Sequence, residues 1–169
     1  MVRTSTGCIR TLGTFVVGLV VGCATMALQG QANRIEGNSG VNHVGISVAR
    51  MDDAIAYYTK TLGFQEAAVL RDEKGQPTLA FIQVSRNTFI ELNPATADRP
   101  AGLTHFGLQV DDAKAAAATL KQRGVMIEDP RPGRTVSFIT SMTDPAGVRI
   151  ELSELRPDSM LGKAIASWK

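Results

Sequence analysis

The chain has 169 residues, 44% of them apolar and 20% charged, and this balance predicts a folded globular domain rather than a disordered chain. Both cysteines, Cys8 and Cys23, lie in the first 32 residues, so the rest of the chain can form neither a disulfide nor a thiolate site. Those 32 residues also contain two of the eighteen basic residues and none of the sixteen acidic ones. The remainder is therefore neutral, which removes the electrostatic argument for a nucleic-acid partner.

The N-terminal segment, residues 1–32, is a candidate export signal. Arg3 and Arg10 precede an uncharged stretch at residues 11–28, which is the pattern of a secretory leader. The small residues Gly-Gln-Ala at its end would suit signal peptidase, whereas the sequence VVGC ending at Cys23 resembles the lipobox of bacterial lipoproteins. An uncut membrane anchor is a third interpretation, because the uncharged stretch is near the minimum length for a membrane span. We expect an exported protein that is periplasmic or membrane-attached, with these three alternatives open.

The first predicted module, residues 41–94, follows a polar linker at residues 33–40. Alternating apolar and small residues predict a half-buried strand at its start. Apolar residues at helical spacing then predict a helix that Asp52 and Asp53 can cap and that Gly63 ends. Three strands with tight connections complete the module. Their predicted ranges are 64–70, 79–84 and 88–93.

The second predicted module, residues 103–155, has the same order of elements. Asp111 and Asp112 open an alanine-rich helix that ends at Gly124. The predicted strands are 103–110, 125–127, 135–140 and 148–153. Short segments also match between the modules, since FIELNP corresponds to RIELSE and LAFIQV to VSFITS. A repeat of about fifty residues predicts an architecture of two paired modules. A tail at residues 156–169 follows, with a predicted packing helix near its end.

The only two histidines, His43 and His105, open equivalent strands in the sequences NHVGISV and THFGLQV. Side chains alternate between the two faces of a strand, so packing the apolar residues against the helix turns each histidine to the concave face of the sheet. The same alternation in FIELN and RIELS places Glu91 and Glu151 on that face. A pseudo-twofold axis between the modules would bring these four residues together. Two imidazoles and two carboxylates can hold a divalent ion such as nickel, zinc, cobalt, iron or manganese.

Other residues on the predicted concave face are candidates for contact with a substrate. Arg149 could bind an anionic group of the substrate, although an ion pair with a nearby acid explains it equally well. Phe89, Asn93 and Gln109 could line a pocket or could simply be packed or solvated. Three further arginines are expected on solvated loops, namely Arg71, Arg131 and Arg134.

The segments NHVGISV, LTHFGLQVDD and TDPAGVRIEL resemble the vicinal oxygen chelate superfamily, which includes glyoxalase I, methylmalonyl-CoA epimerase, extradiol dioxygenases and antibiotic-resistance proteins. The resemblance covers about residues 41–155. It implies an α+β fold in which two βαβββ modules form an incomplete barrel around a metal. The implied ligands lie on the first and last strands of each module, at His43, Glu91, His105 and Glu151. This His, Glu, His, Glu order is most similar to bacterial glyoxalase I.

The resemblance favours a metal-dependent lyase or isomerase that transfers a proton on a small metal-chelated substrate through an enediolate. Glu91 and Glu151 are the candidate catalytic residues. Nickel, zinc or cobalt is the preferred ion. One alternative is a non-heme iron dioxygenase of the extradiol type, against which Glu91 argues because it would occupy a position that oxygen needs. Another is a small-molecule binding or resistance protein without catalysis, although such relatives generally lack the ligands. The site could form within one chain or between the two chains of a homodimer.

Overall fold

The computed structural model describes residues 34–169, of which Ile35–Lys169 form one compact unit. The export segment lies outside the described residues, so the three interpretations of it remain predictions. Among residues 34–169, no helix is both long enough and apolar enough to cross a bilayer.

The first module consists of one strand, one helix and three further strands, in the predicted order. Its elements are β1 (Gly40–Val48), α1 (Met51–Ala56, continued by a π-helical turn at Tyr57–Thr61), β2 (Gln65–Arg71), β3 (Pro77–Ser85) and β4 (Thr88–Pro94). One detail differs from the prediction. Arg50 is the N-cap residue of α1 and makes no side-chain capping bond, so Asp52 and Asp53 lie within the first turn, where their charges favour the helix dipole.

The second module has a less regular end. Its elements are β5 (Gly102–Gln109), α2 (Ala113–Gln122), β6 (Arg131–Pro132), β7 (Phe138–Thr143) and β8 (Arg149–Glu154), and α3 (Met160–Ser167) follows. Asp112 caps α2 as predicted, since its carboxylate accepts a hydrogen bond from the backbone N–H of Ala115.

Two predicted strands of the second module were wrong in position. Residues 125–127 contribute only a single bridge, from Ile127 to Met142. The strand predicted at residues 135–140 begins instead at Phe138, because a tight loop precedes it. In that loop the N–H of Gly133 donates to the carbonyl of Ser137 at 2.7 Å, and Val136 adopts a φ of 64°. A β-branched residue in this region of φ is strained, which requires support from the surrounding structure.

The eight strands form one mixed sheet that curls into a half-barrel, in the order β2-β3-β4-β1-β5-β8-β7-β6. The first strands of the two modules, β1 and β5, pair antiparallel at its centre. Each is flanked by the last strand of its own module in a parallel pair, β4 beside β1 and β8 beside β5. The predicted α+β architecture of two paired modules is therefore confirmed, and the four strands that carry the predicted ligands are adjacent.

Helices α1 and α2 cover one face of the sheet. Met51 and Ile55 of α1 pack on β3 and β4, and α2 packs in the same way on β8. The C-terminal helix α3 lies on the other, concave face. There Leu161 is 2% exposed and packs with Leu79, Phe81 and Phe89.

Candidate metal centre

The central strand pairing arranges the four predicted ligands in two rows across the sheet. In one row, Glu91 neighbours Gly45, which lies opposite His105. In the other, Glu151 neighbours Gly107, which lies opposite His43. The rows are related by the pseudo-twofold axis between the modules, so each module contributes one imidazole and one carboxylate. The cluster is complete within one chain.

The ligand atoms of the cluster lie within 4.8 Å of one another. The two histidine Nε2 atoms are 3.1 Å apart. Oε2 of Glu91 is 3.5 Å from Nε2 of His43 and 3.6 Å from Nε2 of His105. Oε1 of Glu151 is 3.8 Å from Nε2 of His43. A metal bonded to nitrogen and oxygen at about 2.0–2.2 Å holds its ligand atoms no more than about 4.4 Å apart. These four separations meet that limit, and the 4.8 Å limit of the whole cluster exceeds it by only about 0.4 Å.

Two glycines leave the space that the histidine rings occupy. A Cβ atom on Gly45 would lie 2.0 Å from Cε1 of His105, and one on Gly107 would lie 1.9 Å from Cε1 of His43. Real Cβ atoms do not approach other atoms so closely. The glycine two positions after each histidine is therefore required by the histidine of the other module.

The residue before each histidine orients its ring. Oδ1 of Asn42 lies 2.8 Å from Nδ1 of His43, and Oγ1 of Thr104 lies 2.9 Å from Nδ1 of His105. Asn42 and Thr104 are the extra residues at the two irregularities in the β1–β5 pairing, where one strand has a residue more than its partner. Such bulges re-aim side chains, which is how a residue adjacent to each histidine reaches the same ring.

Each carboxylate is held by the residue two positions further along its strand. Nδ2 of Asn93 donates to Oε1 of Glu91 at 2.6 Å, and Oγ of Ser153 donates to Oε1 of Glu151 at 3.1 Å. Glu151 has an additional partner, because Nη2 of Arg149 lies 2.9 Å from its Oε2. The two carboxylates thus occupy equivalent places but differ in their contacts.

Burial and charge give the metal-free site unequal protonation. Burial lowers the pKa of His43 to about 4, against the opposing effect of Glu91. Burial alone would raise the pKa of Glu91, but the hydrogen bond with His105 and the charge of His43 outweigh it and bring the pKa to about 2. Burial and the nearby Glu91 charge raise the pKa of Glu151, although Arg149 opposes them.

The orientation of the ligand atoms, and not only the distances between them, fits a divalent cation. The Oδ1 atom of Asn42 can only accept a hydrogen bond, so Nδ1 of His43 carries the proton and the lone pair on Nε2 faces the cluster. Both carboxylates direct oxygens to the same place. Convergence of a nitrogen lone pair and two carboxylates favours a cation between them, and a carbonyl oxygen beside Nδ1 is the usual arrangement of a histidine that binds metal through Nε2.

A cavity of about 180 Å³ adjoins the cluster, and it separates the other predicted contact residues into two groups. Asn93 and Arg149 line the cavity, and Arg149 forms the ion pair with Glu151 that the sequence left as an alternative. Phe89 and Gln109 do not line it. Phe89 is fully buried, with its ring 6.4 Å from and perpendicular to that of Phe81, so its role in the described structure is packing.

Three exposed arginines also line the cavity. Arg131 and Arg134 are exposed to solvent, as expected, and both line the cavity together with Arg99, which is exposed as well. Arg71 is also exposed, at the end of β2, and donates to the carbonyl of Gly75. The only sequence signal for the pair was the presence of two arginines around the PRPG turn, and a turn has no periodicity from which to infer a facing direction.

The fold and the cluster together define a class of protein: a half-barrel of paired modules, each giving a histidine and a glutamate to a cluster that could hold a divalent metal. The family model of the Glyoxalase/Bleomycin resistance protein/Dioxygenase superfamily matches residues 40–152. The chain belongs to this superfamily, as the sequence motifs predicted.

Similar proteins include lyases and epimerases. The chain is 30% identical to a probable lactoylglutathione lyase of Vibrio cholerae over 124 residues, which cover 68% of this chain and 90% of the relative. It is 25% identical to human mitochondrial methylmalonyl-CoA epimerase over 129 residues, or 68% of this chain and 73% of the relative. The crystal structure of methylmalonyl-CoA epimerase from Mycobacterium tuberculosis superposes with a TM-score of 0.63 at 28% identity, covering 73% of this chain and 93% of that chain.

Proposed function

We propose that the protein is a glyoxalase-like, metal-dependent lyase or isomerase that moves a proton beside a carbonyl group of a small oxygenated substrate, through an enediolate. The observation that carries this proposal is the cluster of two imidazoles and two carboxylates at repeat-equivalent positions. Nickel, zinc or cobalt suits this mixed nitrogen and oxygen set best. When bound, the ion would polarise adjacent substrate oxygens and so lower the pKa of the neighbouring C–H group.

The contacts of the two carboxylates support different roles. Glu91 lies close to both histidine nitrogens, which suits a permanent ligand. Glu151 lies farther from His43, and Arg149 and Ser153 bind its two oxygens. These two partners can hold Glu151 at a fixed place while it accepts the substrate proton and returns it. We therefore assign Glu151 as the general base.

The position of Glu91 disfavours the dioxygenase alternative. Its Oε2 atom approaches both histidines, so it would occupy a fourth position beside the two histidines and Glu151. A facial triad for oxygen chemistry needs that position open. Elemental analysis of the purified protein separates the alternatives: redox-active iron would favour the oxygenase, absence of stoichiometric metal would favour simple sequestration, and nickel, zinc or cobalt would favour proton transfer.

The central test is substitution of the two carboxylates. Metal-loaded Glu91→Gln and Glu151→Gln should each lose proton exchange on α-hydroxycarbonyl compounds in deuterated water by about 10²–10⁴-fold, the usual contribution of a positioned acid or base. Exchange is followed by proton NMR. Glu73→Gln, in the exposed turn between β2 and β3, is the matched control and should keep the wild-type rate. Wild-type rates in both cluster variants would refute the mechanism.

We also propose that this activity operates outside the cytoplasm, with the leader-like residues 1–32 as the support. Cell fractionation of the full chain beside a Cys23→Ala variant tests this. Release of the variant from the membrane into the periplasm would support lipid attachment. Recovery of both proteins in the cytoplasm would refute export.

A further inference from the structure

The cavity beside the cluster is small for an enzyme site. Its volume of about 180 Å³ compares with about 300–1,000 Å³ for typical ligand pockets. A compound of a few carbon atoms fits this space, so a carrier on a peptide or nucleotide thiol would have to lie outside the cavity, beyond the exposed arginines.

The cavity is small because the C-terminal residues cover the concave face of the sheet. Leu155 and Leu161 line the cavity opposite the cluster. The backbone N–H of Met160 donates to the carbonyl of Thr135 at 3.0 Å, which joins α3 to the strained loop before β7. Ser159 caps α3 and is fully buried. The family match ends at residue 152, so the helical part of this cover lies beyond the segment shared with the family.

The cavity carries an excess of positive charge. Four arginines line it against only two carboxylates, those of Glu91 and Glu151. One arginine, Arg149, is paired with Glu151. The other three are exposed to solvent, and within residues 34–169 none of them forms an ion pair: Arg99 donates to the carbonyl of Pro94, Arg134 donates to Thr78, and the side chain of Arg131 makes no hydrogen bond. A bound divalent cation would increase this excess, and a cleft lined by one sign of charge attracts the opposite sign.

We infer that the substrate reacts as a compact oxyacid: the part that enters the cavity is an α-hydroxycarbonyl unit of about three to five carbons that carries its own carboxylate. This inference rests on the proposed function. The vicinal oxygens face the cluster, and the carboxylate binds the arginines, with Arg131 as its principal partner because that guanidinium is uncommitted. Leu79, Phe81, Leu155 and Leu161 form an apolar wall that admits a short alkyl group.

Binding is tested with two probes of nearly equal shape, glycolate and its neutral amide, glycolamide, by calorimetry on the metal-free full chain, where the carboxylate of glycolate cannot bind zinc in place of the arginines. Glycolate should bind at least about tenfold more tightly, and Arg131→Gln should reduce that preference about tenfold, because a charge-assisted hydrogen bond contributes about that factor. Arg86→Gln, an exposed arginine in the turn between β3 and β4, is the control and should leave the preference unchanged. Equal binding of both probes by the wild-type protein would overturn the inference, whether or not proton exchange is found.

Size selection is tested by exchange assays on three compounds. Hydroxypyruvate should exchange faster than the neutral dihydroxyacetone, and the hemithioacetal of methylglyoxal and glutathione, whose reacting part is neutral and carries a bulky thiol, should exchange most slowly. Leu161→Ala should raise exchange on the hemithioacetal by severalfold, whereas Met160→Ala, outside the cavity lining, should not. Preference of the wild-type protein for the hemithioacetal would overturn the substrate class but leave the proposed reaction intact. Absence of exchange on all three compounds, together with absence of metal binding, would instead refute the proposed function.

Discussion

Gly107 lies directly opposite His43 in the central pair of antiparallel strands, and a Cβ atom at Gly107 would come within 1.9 Å of Cε1 of His43. Gly45 has the same relationship to His105. The two His-x-Gly segments are thus interlocked: each glycine makes room for the ligand of the other module.

This interlocking predicts the effect of Gly107→Ala. The added methyl group must displace the buried ring of His43, so we expect a stability loss of about 1–3 kcal/mol, as for overpacked cores, and loss of nickel affinity. Chemical denaturation and metal titration measure the two effects. The double variant Gly107→Ala/His43→Ala separates them, because removing the ring removes the clash. Its stability should exceed that expected from adding the two single effects, whereas strict additivity would show that no steric conflict exists.

The orienting residues provide a second prediction. Asn42→Leu and Thr104→Val should each weaken metal binding by about 10–100-fold, because Nδ1 of the neighbouring histidine loses the partner that fixes the orientation of its ring. Isothermal titration of the metal-free protein with nickel measures this. Ser47→Ala is the matched control: Ser47 is buried on the same strand as Asn42, and its hydroxyl has no hydrogen-bond partner among residues 34–169. If Ser47→Ala weakened binding as much as Asn42→Leu, ring orientation would not be the cause.

A third prediction concerns the pH dependence of the metal-free protein. The pKa of His43 is about 4 when folded and 6.5 ordinarily, so between these values the unfolded chain binds more protons. The free energy of unfolding should therefore decrease as the pH falls from 6.5 to 4, by an amount on the order of a few kcal/mol. Glu91, with a pKa of about 2 rather than 4.5, extends the decrease below pH 4.5. The raised pKa of Glu151 opposes the decrease above pH 4.5, where the folded chain binds the extra proton.

Urea denaturation across this pH range measures the profile. In His43→Gln the decrease between pH 6.5 and 4 should be smaller than in the wild-type protein. An unchanged profile would mean that protonation of His43 does not cause the pH dependence of the free energy of unfolding.

Metal binding supplies a fourth prediction. Because the ligands meet only in the folded chain, a metal concentration of 100 times Kd should raise the free energy of unfolding by about 2.7 kcal/mol. Calorimetric melting with and without nickel measures this, and a chelator should reverse it. In Glu91→Gln the increase should be small at the same nickel concentration. An equal increase in the wild-type protein and this variant would place the ion elsewhere.

The concave-face residues could be predicted because strand alternation and the repeat are local properties of the sequence. His43, His105, Glu91 and Glu151 follow from period-two patterns and from equivalent positions in the two modules. The same reasoning placed Phe89 on that face, where it indeed lies. It could not tell that Phe81 and α3 would bury Phe89, while its repeat equivalent, Arg149, would remain 40% exposed.

The bulges were beyond sequence reasoning for a related reason. Strict alternation places Asn42 on the face opposite His43, yet both are buried and in contact. An extra residue in one strand becomes visible only when the partner strand is known, because the irregularity belongs to the pairing and not to either strand alone.

The sequence by itself determined the duplicated order of elements, the family and the four residues of the candidate metal centre, because each depends on short-range periodicity or on motifs repeated along the chain. Only the tertiary structure decided which loop arginines line the cavity and how far α3 reduces its volume. Loops have no period that fixes the direction of a side chain, and a terminal helix finds its place through contacts between residues distant in the chain, such as Leu161 with Leu79 and Phe81.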